Sequence, residues 1–172
     1  MSQSIEQTLQ LLDAWYNEPS EGNDRTNLLS KLALIELCGW IEGTFDEMIR
    51  NIGNRTLPAE TPVVEKIINK VNGFRYDTHL RVMIVGLIGE VFALRIEAKM
   101  EELNNGKLER MKSMLGALWT KRCSFAHADV IANVASQEKF DAPSWSLDQY
   151  RKLNSLFMSY ENSINSVLDA GI

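Results

Sequence analysis

Cysteine is scarce in this chain: Cys38 and Cys123 are the only two, 85 positions apart, with no Cys-x-x-Cys pair. That excludes a disulfide framework and a cysteine-built zinc site, and it fits a reducing compartment. With only two histidines, a histidine-rich metal site is excluded as well. Ten glycines and four prolines make 14 of 172 residues, about 8%, against a background near 12%. So few turn-forming positions argue against a turn-rich β-fold. There is no long hydrophobic run. The most apolar stretch, Val82 to Leu94, is interrupted by Glu90 and falls short of the roughly 20 residues that cross a bilayer, so it reads as a buried helix and no membrane partner is expected. The N-terminal MSQSIEQTLQLL has no basic segment before its apolar residues, which leads us to expect a cytoplasmic protein without a secretory leader. Eighteen basic against 23 acidic side chains leave a net charge of −5. Any contact with a polyanion must therefore be local.

What is present is helical periodicity. Ile5, Leu9, Leu12, Trp15 and Tyr16 share one face of a short first helix, closed by Pro19-Ser-Glu-Gly22. From about Asp24, Leu28, Leu32, Ile35, Ile41, Phe45, Met48 and Ile52 continue the spacing to Gly53, and Gly39 and Gly43 on one face suggest a tight helix crossing. Thr61-Pro62 reads as a cap and first position of a short helix ending at Asn72-Gly73. Asp77 or Thr78 then caps an interior helix through Leu87 and Ile96 to Asn104-Asn105-Gly106, and Leu108, Met111, Leu115, Leu118 and Phe125 mark a fifth. Residues 133 to 145 read as a loop, and the Ser146-to-Gln149 capping box opens a last helix. No strand alternation and no repeat is visible. The expectation is an all-α antiparallel bundle of five to six helices, one domain over 1–172, with an N-terminal helix and turn in 1–23 and a core bundle in 24–172.

Most catalytic signatures are absent: there is no phosphate loop, no dinucleotide fingerprint, no HExxH, no GxSxG and no EF-hand loop. One arrangement stands out, Arg122 followed by four residues and His127, an invariant cation and a titratable imidazole near a helix end. Between Lys107 and His127 five basic residues face Glu109 alone, a local +4 that leaves −9 for the rest. Residues five apart on an ideal helix point about 140° away from each other. Joining Arg122 to His127 therefore requires a helix break near Ser124 or a second chain. His79 reads as a first-turn surface residue, Cys123 as a small packed residue, and Trp40, Trp119 and Trp145 as core or dimer-interface aromatics.

The run Arg122-Cys-Ser-Phe-Ala-His127 resembles the signature of the HEPN domains, small all-α proteins marked by Arg, four to six residues, then His. Trp40-Ile-Glu42-Gly43 and Pro143-Ser-Trp-Ser-Leu147 resemble the branch related to RiboL-PSP-type HEPN proteins, and the resemblance spans about residues 25 to 168. It implies a HEPN-like bundle and a metal-independent endoribonuclease without a cofactor. It also implies a homodimer whose Arg/His motifs face each other, often in toxin-antitoxin or antiviral defence with an antitoxin as partner. Carried over, His127 is the acid/base group, Arg122 stabilises charge on the phosphorane, and Lys121 and Ser124 are the substrate-binding residues. RNA is the expected partner. The motif usually has a polar residue after its Arg, where this chain has Cys123. A catalytically silent HEPN-like module that dimerises or binds a protein partner is therefore the alternative. The tyrosine that some HEPN toxins carry two residues after the His is Asp129 here, so regulation by modification at that position is not carried over.

Overall fold

The computed structural model describes residues 2–19, 24–103, 106–126 and 140–171. The chain is all-α, with no strand among the described residues. Its helices are α1 (Ser2–Tyr16), α2 (Asp24–Thr56), α3 (Thr61–Ile68), α4 (Arg81–Ile88), α5 (Glu90–Leu103), α6 (Lys107–Ala126) and α7 (Pro143–Asp169), with a π-helical turn at Tyr76–Leu80 leading into α4. No described helix is long and apolar enough to cross a membrane.

Two compact units divide the chain. The first comprises Met1–Trp40 and Thr120–Asn154, the second Ile41–Trp119 and Ser155–Ile172, and α2, α6 and α7 contribute to both. In the first unit Ile5, Leu9 and Leu12 of α1, Ala33, Leu34, Leu37 and Cys38 of α2, Phe125 of α6, and Tyr150 and Leu153 of α7 are buried. Trp40 packs edge-on to Tyr150, ring centroids 4.8 Å apart. In the second unit Phe45 meets Phe157 at 5.5 Å, Phe74 meets Trp119 at 5.3 Å and Tyr76 meets Tyr160 at 5.8 Å, all edge-to-face, the arrangement the ring quadrupoles favour.

Four expectations are corrected. The interior helix read from Asp77 to Asn104 is a π-turn and two helices, because Gly89 adopts φ +86, a left-handed conformation that stops α4 after Ile88. Nor is that stretch interior: Val82, Val91 and Leu94 are each at least half exposed. The tight crossing is not at Gly39 and Gly43, where a Cβ would meet nothing within 4 Å, but at Gly53, where it would lie 2.5 Å from Val64 Cγ2 of α3. Finally, α7 begins at Pro143, three residues before the capping box, and Ser146 is buried within it. A proline fits there because its missing N–H falls among the amides that have no intrahelical partner.

The N-terminal half of α2 also departs from its expected orientation. Leu28, Leu32 and Ile35 are 54%, 41% and 49% exposed, whereas Leu34, Leu37 and Ile41 are buried. At 100° per residue these two sets lie on opposite sides of the helix.

Candidate functional site

Helix α6 runs unbroken through Arg122, Cys123 and Ser124 to Ala126, so the break near Ser124 is not there. Arg122 is half-buried, while Cys123 and Ser124 are exposed. The Ser124 hydroxyl donates back to the Thr120 carbonyl at 3.2 Å, a bond within the helix that leaves its oxygen able to accept. His127 lies outside the described residues, as does Asp129.

Lys121 is engaged inside the protein. Its ammonium is ion-paired with Asp141, lies 4.2 Å from the centre of the Trp145 ring and 5.9 Å from that of Phe125. Phe125 is buried and stacks, tilted, on Phe140 with centroids 4.5 Å apart. An ammonium between an indole face and a carboxylate is held by the ring quadrupole and by Coulomb attraction together. Burial draws the Lys121 pKa below the ordinary lysine value. A phosphate at Lys121 would share the ammonium, which has three N–H donors, with Asp141 or displace it. Asp141 and Phe140 went unnoticed in the sequence, and Trp145, read as a core or dimer-interface aromatic, was not joined to Lys121, because these partners lie some twenty positions apart. The one visible signal was the Phe-Asp-Ala-Pro-Ser-Trp run, an acid flanked by aromatics at the start of α7.

His79 belongs to the second unit and has a structural setting. Its Nδ1 accepts the Arg75 backbone N–H at 3.0 Å, closing the start of the π-turn, and its ring lies 5.2 Å from Trp119. Gly73, at φ +133, makes room for this pair: a Cβ there would sit 2.6 Å from His79 Nε2 and 2.7 Å from the Trp119 ring. Trp40 and Trp145 are half-buried against Tyr150 and Lys121 respectively, and Trp119 against Phe74 and His79. Cys38 is buried, Cys123 is exposed, and no disulfide joins them. Among the described residues no group of three His, Cys, Asp or Glu side chains is arranged to hold a metal ion.

No family model, no curated protein and no solved structure matches the chain.

Proposed function

We propose that the chain is a metal-independent endoribonuclease of the HEPN kind, acting on single-stranded or looped RNA. The observation that carries this reading is the Arg122-Cys-Ser-Phe-Ala-His127 pattern at the end of α6, the most basic segment of an otherwise acidic chain. Unpaired RNA is favoured because only there can the 2′-OH swing in line with its own phosphate. In this mechanism His127 takes the 2′-OH proton as the 2′ oxygen attacks phosphorus, the bond from phosphorus to the 5′ oxygen breaks, and the imidazolium returns a proton to the departing 5′ oxygen, directly or through water. Arg122 offsets the charge that develops on the phosphorane oxygens. The products are a 2′,3′-cyclic phosphate and a 5′-hydroxyl. The unbroken helix from Arg122 to Ala126 favours the two-chain version of the site, in which motifs from both copies of a homodimer contribute. A cytoplasmic toxin or defence role, with an antitoxin as partner, belongs to the same proposal.

A second reading is a HEPN-like module without activity, which dimerises or binds a protein. Cys123, exposed in the position after Arg122, and the tie of Lys121 to Asp141 favour it. Purified wild type, Arg122→Ala and His127→Ala incubated with RNA in EDTA separate the two readings. The ribonuclease cleaves as wild type and loses about 100-fold or more with either substitution, in proportion to what a positioned acid/base group supplies. No cutting by the wild type, or equal cutting by all three, removes the proposal.

A further inference from the structure

The N-terminal half of α2 is apolar on two opposite faces. One carries Leu34, Leu37 and Ile41 into the interior, and the other presents Leu28, Leu32, Ile35 and Gly39 to solvent. Helices that are apolar all round are buried on all sides, so a bare second face asks for an occupant. The stripe is bounded. Further along the same side of α2 come half-buried Asp46 and exposed Arg50, the latter ion-paired with Glu65 of α3.

We infer that this stripe is the contact with a second copy of the chain, α2 lying parallel to α2 about a two-fold axis. Three observations carry the inference, none of which depends on ribonuclease activity. First, the spacings from 28 to 32, 35 and 39 are four, three and four, the alternation of core positions in a two-stranded coiled coil, sustained over about 16 Å at 1.5 Å per residue. Second, Gly39 has nothing within 4 Å of where its Cβ would stand, so the facing backbone can come close at that end of the stripe. Third, the charges beside the stripe are self-complementary. Lys31 directly precedes the core position Leu32, and Glu36 directly follows the core position Ile35. In a parallel pair the flank holding Lys31 lies against the flank holding Glu36 of the other copy, five residues on, and symmetry makes the pair twice. An antiparallel pair keeps these two flanks on opposite sides. A second copy supplies both the apolar knobs and the opposite charges.

Four core residues a side are few beside the 20 to 30 or so of a standard interface, so the pair is expected to be concentration-dependent, with a Kd in the micromolar range. Analytical ultracentrifugation of the full chain from about 1 to 500 μM tests this range. The wild type is expected to dimerise, and Leu32→Glu to remain monomeric with unchanged helical circular dichroism. Lys31→Glu and Glu36→Lys each weaken the dimer about tenfold, since each turns two attractive pairs repulsive, and the double exchange restores it. In a Cys123→Ser background, Leu28→Cys cross-links to its counterpart on oxidation, which an antiparallel pair would forbid. A monomer at all concentrations, a double exchange as weak as the single ones, or no cross-link at position 28 overturns the proposal. The first result would leave the stripe to a different protein. Failure of RNA cleavage leaves all these outcomes unchanged.

Discussion

Replacing the Tyr76 and Tyr160 hydroxyls one at a time should have unequal consequences, and the inequality follows from the direction of a hydrogen-bond chain in the second unit. Tyr76 is 2% exposed and Tyr160 fully buried. The Tyr76 hydroxyl donates to Glu97 Oε1 at 2.9 Å, and the two hydroxyls lie 3.1 Å apart. A carboxylate only accepts, so Tyr76 spends its proton on Glu97 and Tyr160 donates to the Tyr76 oxygen. Glu97 is held in turn by Arg81 Nε at 2.7 Å. Burial raises the pKa of both tyrosines further above the physiological range, so both stay protonated in the assay. Tyr160→Phe removes one neutral bond and leaves Tyr76 bonded to Glu97, a loss of about 1 kcal/mol. Tyr76→Phe removes the bond to a charged acceptor and strands the Tyr160 hydroxyl with nothing to donate to, a loss of about 3 kcal/mol. The double substitution removes the stranded group, so it should cost about 2 kcal/mol, roughly 2 less than the sum of the single changes. The face of ring 76 that Lys112 covers at 5.1 Å is retained throughout. Equilibrium urea unfolding at 25 °C measures all three. Additive costs, or a Tyr160→Phe loss equal to that of Tyr76→Phe, would refute this direction of donation.

Further expectations follow from single contacts. Gly53→Ala gains about 1 kcal/mol of helix propensity yet should destabilise by about 1 to 2 kcal/mol net, because its Cβ meets Val64. In a Val64→Ala background the same change should cost less, as thermal melts of the four chains will show. Burial and neighbouring Glu47 raise the Glu161 pKa, so its ionised form is disfavoured in the folded state. Glu161→Gln should therefore raise the melting temperature at pH 7, with the gain vanishing as pH falls below the ordinary glutamate value of 4.5. Glu65 has the opposite sign: its bidentate contact with Arg50 lowers its pKa, so Glu65→Gln should destabilise above about pH 4.5 and be neutral in acid. Lys121→Met should cost at most about 1 kcal/mol, since the Asp141 pair is partly exposed. It should also alter Trp145 fluorescence, and RNA affinity measured beside it shows whether Lys121 serves the substrate as well as the Asp141 pair.

The class of fold was legible because 3.6-residue periodicity is a local property, and long helices such as α2 and α7 repeat it many times. What escaped was decided by partners distant in sequence. Leu28, Leu32 and Ile35 carry the same periodic signal as Leu34, Leu37 and Ile41, and only packing chooses which set turns inward. That choice also moved the helix crossing from Gly39 and Gly43 to Gly53, since a glycine matters where its own face meets a neighbour. The break at Gly89 was masked by apolar residues that continue on both sides of it. At the candidate site the helical course of α6 from Lys107 past Arg122 was legible. The hold of Asp141 and Trp145 on Lys121 was not, because nothing local to residue 121 announces a partner twenty positions away.

Whether the RNA's own 2′-hydroxyl is the nucleophile is the most direct test of the proposed chemistry. A mixed-sequence RNA and its fully 2′-O-methylated counterpart, each incubated with the wild-type chain in EDTA, put that question in one gel. Attack by the 2′-hydroxyl requires cleavage of the unmodified RNA alone, with 2′,3′-cyclic phosphate at the new ends and none from His127→Ala. Cleavage of both substrates, new ends bearing a free 3′-hydroxyl, or an intact unmodified RNA would contradict it.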